Sequence, residues 1–166
     1  SQILPINVIN KGGKSEEVSE DETIRKDTTL EKLGKMKTIF KEDGVVTAGN
    51  SCPMSDGAAA LVVMSKEKAD QLGLDYKFKI KNFAAVGVDP NYMGLGPVYA
   101  IQRLLARERL ELNDIDLIEI NEAFAAQTLA CIKLLNIDVA KLNVNGGAIA
   151  LGHPLGATGG VIATKM

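Results

Sequence analysis

The stretch IDLIEINEAFAAQTLACIKLL, Ile115 to Leu135, decides how the rest of the chain is read. Its first six residues, Ile115 to Ile120, are those of a buried strand, and Glu122 to Leu135 reads as a helix. A strand that opens directly into a helix is the repeating unit of α/β architecture. Working outward, Gly57 to Ser65 (GAAALVVMS) is a run of small and β-branched residues that predicts a strand covered on both faces. Lys66 to Leu72 follows as a short helix ending at Gly73, and Phe78 to Val88 alternates as a long strand would. Pro97 to Leu110 is an amphipathic helix with its proline near the first turn. Downstream, Leu142 to Val144 is a short strand or extended piece, and a helix is expected to begin near Pro154 or Leu155. Strand and helix alternate, so the expected class is α/β, with a mixed sheet between helix layers.

The N-terminal part differs in character. Ile3 to Ile9 is β-branched and apolar, and reads as one strand. Lys11 to Asp43 carries 8 basic and 9 acidic residues. Within it, Leu30, Leu33, Met36, Ile39 and Phe40 stand at helical spacing, capped by Thr28 or Thr29. This stretch is expected to be a surface excursion with one short helix.

Composition narrows the function classes. Of the 166 residues 46% are hydrophobic and 24% charged, which suits a packed core built from Ala, Val, Ile and Leu, since aromatics are only 4%. A net charge of -2 gives no sign of a nucleic-acid binder. The two cysteines, Cys52 and Cys131, share no metal-like spacing and make no disulfide framework, so a reducing compartment, the cytoplasm, is expected. No apolar run is long enough to span a membrane, and the first ten residues show no basic region followed by an apolar one. The chain ends at Met166, about three turns into its last helix, and a glycine-launched apolar helix is expected to continue.

Four segments can carry chemistry. In NVNGGAIALGHPLGATGG, Asn143 to Gly160, stand six of the 16 glycines and the one histidine, His153. Glycine at that density lets the backbone approach a ligand, and an imidazole held at the mouth of the following helix can aim an N–H at a substrate oxygen or a base nitrogen at a thiol. The second is NEAFAAQ, Asn121 to Gln127, at the strand end. Asn121 can fix a water or donate to an oxyanion, or it can simply cap the helix. Glu122 can pair locally. The third is VTAGNSCPMSDGAAALVVM, Val46 to Met64, with room for a narrow ligand and with Asn50, Ser51 and Ser55 to bond its amides. Cys52 lies there without a base nearby in sequence and reads as a lining thiol rather than a nucleophile; Cys131 reads as core. The fourth, NYMGLGPVYAI, Asn91 to Ile101, is either an apolar cap over a ligand or a turn with buried side chains.

These segments, in this order, resemble the thiolase family. NEAFAAQ and GGAIALGHPLGATGG carry most of the resemblance, with VTAGN, SDGAAALVVMS and MGLGP beside them. DETIRKDTTLEKLGKMKTIFKEDG, Asp21 to Gly44, is similar to the end of the thiolase loop domain, so residues 1–44 are expected to close that domain and 45–166 to belong to the C-terminal domain, the second half of the duplicated thiolase fold. The ketoacyl synthases share the fold, but the NEAF segment favours thiolase.

The resemblance implies acyl transfer to and from coenzyme A, by Claisen condensation or by thiolysis of a 3-ketoacyl-CoA, with the thioester as substrate and no further cofactor or metal. It implies that His153 activates a nucleophilic cysteine and donates to the thioester oxygen, and that Asn121 holds a water in the same oxyanion hole. The pantetheine arm is expected to pass Ala48, Cys52, Met93, Ala123 and Phe124, with Arg25 beside the nucleotide end. Many relatives have Ser in place of Cys52 and Gly in place of Pro53; a thiol bonds pantetheine less well than a hydroxyl. The family's two reactive cysteines belong before Ser1 and beyond Met166, so the expected partners are the N-terminal half of a thiolase and further copies of the protein, and the 166-residue chain alone is expected to be inactive. A non-catalytic module that binds coenzyme A or provides interface surface, and one chain of a split thiolase, are the rival readings.

Overall fold

The computed structural model describes residues 3–166. Its organised centre follows the stretch on which the sequence reading began. Residues 115–120 run extended into the core, where Ile118 forms a parallel bridge with Leu142. The rungs are Ile118 N–H to Lys141 O at 2.9 Å and Asn143 N–H to Ile118 O at 2.9 Å. Two helices cover this pair. Helix α3 spans Gly96–Glu108, with Pro97 in its first turn, and ends at Arg109 in the left-handed conformation. Helix α4 spans Ala125–Leu135 and ends on Asn136, also left-handed. Between them lie Val98, Ile118, Ile120, Cys131 and Ile137, all buried, with Ile101, Leu112, Ile115, Ile132, Leu135 and Leu142 packed against them. Cys131 is fully buried, as a core residue should be.

Three shorter helices stand beside these: α1, Leu30–Gly34; α2, Lys66–Gln71; and α5, Ala148–Leu151. The last helix, α6, is Thr158–Lys165. Thr29 and Ser65 cap α1 and α2 through their hydroxyls. Helix α1 stops well before Phe40, because Thr38 bridges Thr47 and Ile39 N–H donates to Val46 O at 3.0 Å, which pulls the chain out of helical conformation. The charged stretch also holds a strand that the sequence reading placed in a loop. Strand β1, Ile6–Ile9, pairs antiparallel with β2, Ser15–Val18, in a hairpin whose register sets Ile6 against Val18.

The sheet is where the structure departs most from expectation. Among the described residues, regular pairing is confined to the β1–β2 hairpin and four single bridges, two parallel and two antiparallel. Residues 57–64 and 78–88, expected as strands, join no ladder. The run 57–64 was expected to be covered on both faces and is exposed instead, although α6 approaches it at one point, where a Cβ on Gly160 would lie 3.0 Å from Ala59 Cβ. Helix α4 likewise begins three residues later than read, since Phe124 is held extended (φ -144°) by an antiparallel bridge to Ser51.

Candidate active site

Asn121 and His153 are brought together by the parallel pair. Residues 118–120 deliver Asn121 at the end of one extended segment, and the segment beginning at Leu142 leads through α5 to His153. The third motif is laid across both. Cys52 N–H donates to Ala123 O at 3.1 Å, and Met54 forms a parallel bridge with His153. Gly152, at φ +99°, sits so close to Ser55 that a Cβ there would lie 2.3 Å from Oγ. Only glycine satisfies both conditions.

The hydrogen bonds of His153 assign its protons. Nδ1 lies 2.7 Å from Thr158 Oγ1, and that hydroxyl donates its single proton to Pro154 O at 3.1 Å. Nδ1 therefore carries the ring hydrogen and Thr158 accepts it. Nε2 faces Asn121 Nδ2, a donor, at 3.4 Å. Both contacts give the same tautomer, neutral with the lone pair on Nε2. The imidazole is thus a base with a fixed orientation, aimed by a hydroxyl at the start of α6. The capping role open to Asn121 is not the one it plays: α4 has no side-chain cap, and its N-cap position is Phe124.

The remaining sequence candidates fall into two groups. Met93, Ala123 and Phe124 line a cleft of about 380 Å³ that also reaches Asn121. Arg25 and Ala48 line a second of about 350 Å³, with Thr23, Lys32 and Ser51 on its walls. The Ser51–Phe124 bridge joins one wall residue of each cleft, and Cys52 follows directly after it. The charged stretch therefore reaches the site: Thr23 Oγ1 donates to Ala150 O at 2.6 Å, and the rings of Phe40 and Phe124 meet edge to face at 5.8 Å.

Neither thiol is set up as a nucleophile. Burial pushes the Cys52 thiol above the ordinary cysteine range, and burial does the same to Cys131. Cys131 Sγ donates to Gly94 O at 3.5 Å and serves the core. Among the described residues no cluster of His, Cys, Asp and Glu is arranged to hold a metal ion, and no helix is long and apolar enough to cross a membrane.

Sequence reasoning missed Thr158 and Asn143. A hydroxyl five residues after a histidine, across a proline turn, was the available signal for Thr158. Asn143 carried one too: Asn tolerates the left-handed backbone that it adopts here, at φ 48°.

Comparison with known proteins gives the family and the fold. The family description "Thiolase, C-terminal domain" matches residues 74–166, and "Thiolase, N-terminal domain" matches residues 1–67. The chain is 51% identical to a 3-ketoacyl-CoA thiolase of Aliivibrio fischeri, over 100% of its own length and 44% of that protein. It is 48% identical to a probable acetyl-CoA acyltransferase of Staphylococcus epidermidis, over 96% of itself and 40% of the relative. Among solved structures, the acetyl-CoA acetyltransferase of Bacillus anthracis superposes with a TM-score of 0.90 at 48% identity, covering 98% of this chain and 41% of that one. Human mitochondrial 3-ketoacyl-CoA thiolase superposes at 0.84 with 41% identity, over 96% of this chain and 40% of its own. The chain thus spans well under half the length of these relatives.

Proposed function

This chain belongs to the thiolase family, and on that premise we propose that the whole protein transfers acyl groups to and from coenzyme A, by thiolysis of 3-ketoacyl-CoA or by the reverse Claisen condensation. The observation that carries the proposal is the pairing of His153 Nε2 with Asn121 Nδ2 at 3.4 Å, with Nδ1 locked by Thr158.

That geometry has a chemical consequence. With the lone pair on Nε2, His153 takes the proton of the nucleophilic thiol that the family supplies from its N-terminal half. Nε2–H and the Asn121 amide are then two donors facing each other, which is unfavourable until an acceptor oxygen sits between or beside them. The thioester oxygen, or a water held by Asn121, is that acceptor. When sulfur adds to the 3-keto carbon and the bond to C2 breaks, the electron pair passes to the thioester oxygen as an enolate. The enolate is protonated at C2 by the second cysteine and leaves as the shortened thioester; the thiolate so formed takes the thiol proton of coenzyme A, whose sulfur then displaces the acyl group from the nucleophilic cysteine. Protonation of His153 thus creates the oxyanion hole at the step that needs it.

On the same reading the pantetheine arm passes Ala48, Cys52, Met93, Ala123 and Phe124, with Arg25 beside the nucleotide end. The two clefts on either side of the Ser51–Phe124 bridge support this path. The human mitochondrial relative has been solved in complex with CoA. Residues 1–44 close the loop domain and 45–166 belong to the C-terminal domain of a homo-oligomeric cytoplasmic enzyme. Two free cysteines suit that compartment, and the apolar side chains exposed over residues 57–88 suit an assembly in which they are covered.

The test is turnover of acetoacetyl-CoA and coenzyme A by the whole protein. His153→Ala should lower kcat by about 10²–10⁴-fold and Asn121→Ala by about 10²–10³-fold. Turnover by His153→Ala equal to that of the parent would sink the proposal. The 166-residue chain alone should show no thiolysis, because neither of its thiols is activated.

A further inference from the structure

Asn121 and His153 stand 32 residues apart in the chain, so their separation is set by whatever ties the two segments together. The ties converge on two side chains outside the proposed chemistry. Asn143 extends the Ile118–Leu142 pairing by one rung, using its side chain in place of backbone. Its Oδ1 accepts from Ile120 N–H at 2.9 Å, and its Nδ2 donates to Ile120 O at 3.0 Å. The second hydrogen of that amide donates to Glu122 Oε1 at 2.8 Å. The other Glu122 oxygen, Oε2, accepts from Ile149 N–H at 3.3 Å, in the short helix that leads to His153. Gly147 leaves the room this needs, since a Cβ there would lie 2.0 Å from the carboxylate carbon.

Both sequence neighbours of Asn121 are therefore fastened to the segment that carries His153: Ile120 through Asn143, Glu122 through Asn143 and Ile149. We infer that Glu122 and Asn143 are positioning residues that fix the distance and orientation between Asn121 and His153. This rests on the thiolase reading of that pair. The donor pattern selects the residue types. Two donors arrive at two separate oxygens of Glu122, which a carboxylate satisfies and a carboxamide does not. A Gln there must turn its NH₂ toward one of them. At Asn143 the amide both accepts and donates twice, from a left-handed backbone that Asn tolerates. Neither side chain is needed to touch substrate. Their effect is geometric, and a misplacement of about 1 Å in such a site costs on the order of a hundredfold in rate.

The test uses the whole protein. Glu122→Gln and Asn143→Asp should each lower kcat for acetoacetyl-CoA thiolysis by about 10- to 100-fold, with KM little changed. The double variant restores a donor–acceptor pair of reversed polarity between positions 122 and 143, and should recover part of the loss. In an Asn121→Ala background, Glu122→Gln should cost nothing further, because there is then no amide left to position. Parent-like kcat in Glu122→Gln, or the same loss with and without Asn121, would overturn the inference. A crystal structure of Asn143→Gly, which keeps the backbone conformation and deletes the ties, supplies a readout independent of activity. The Asn121–His153 contact should open beyond hydrogen-bond reach, and an unchanged contact overturns the inference. A parent protein without thiolysis whose contact still opens in Asn143→Gly would defeat the functional reading and leave the positioning role standing.

Discussion

Residues 115–158 and residues 57–88 read alike in sequence, each as apolar extended segments alternating with helix, yet they end in opposite states. In the first region Ile118 and Ile120 keep 9% and 5% of their surface, and Cys131 none. In the second, Val62 keeps 88%, Phe83 78% and Phe78 61%. Composition does not separate them. Pairing does: the first region has a parallel partner at Leu142 and a side-chain rung from Asn143, and the second joins no ladder among the described residues. What holds residues 83–85 is helix α3, where Arg107 Nη1 donates to Phe83 O at 3.2 Å and Arg103 Nη1 to Ala85 O at 3.1 Å. The four-residue rise along the helix, about 6 Å, matches a two-residue advance of extended chain, about 6.6 Å. Apolar patterning thus states which side chains require cover, while long-range pairing decides whether this chain provides it.

Hydrogen exchange on the 166-residue chain breaks or confirms that contrast most directly. Among the described residues the amides of 57–64 find no acceptor, and neither do those of 78–88 apart from Phe83, which donates to its neighbour Asn82. They should exchange close to the intrinsic rate. The amides of Ile118, Ile120 and Asn143, and those of mid-α4, should exchange about two orders of magnitude or more slowly. Comparable protection in both regions would mean that 57–88 pairs in solution.

A second measurement sharpens it by mutation. Ile120→Ala should destabilise the chain by about 2–5 kcal/mol, since it empties a site in the core cluster. Val63→Ala, at a position 68% exposed, should stay within about 0.5 kcal/mol of the parent. Urea midpoints of the two variants read the difference, and equal losses would show that Val63 is covered.

How far sequence carried the reading follows the same division. Helices α2 and α3 were legible nearly to the residue, because Ser65, Gly73, Pro97 and the helical spacing are local signals. His153 and Asn121 were legible because glycine density and a strand-to-helix junction mark where a backbone opens toward a ligand. The strand β2 was hidden, since SEEV is charged and its pairing with β1 depends on the intervening turn rather than on apolar alternation. The late start of α4 was also hidden, because the bridge that keeps Phe124 extended reaches across 73 residues to Ser51. Thr158, Asn143 and the Glu122 carboxylate belong to the same class. Asn143 and Glu122 act through partners 21 to 27 residues away, and Thr158 acts across a proline turn; no periodicity records such partners.

The glycine-rich motif repeats the comparison on a smaller scale and supplies the two mildest tests. Gly152 and Gly159 are seven residues apart in one run. Gly152 has a positive φ and faces Ser55 at a distance no Cβ can occupy, so Gly152→Ala should cost about 1–3 kcal/mol from the backbone strain alone and disturb the turn after α5 that carries His153. Gly159 lies in α6 with open space where a Cβ would go. There the methyl group meets nothing, and its effect falls on the unfolded chain, whose freedom it restricts. Gly159→Ala should therefore stabilise by about 0.4–1 kcal/mol. Thermal or urea midpoints of the two variants should move in opposite directions. A shift of the same sign in both would mean that the run acts as one conformational unit and that the space at Gly159 is closed in solution.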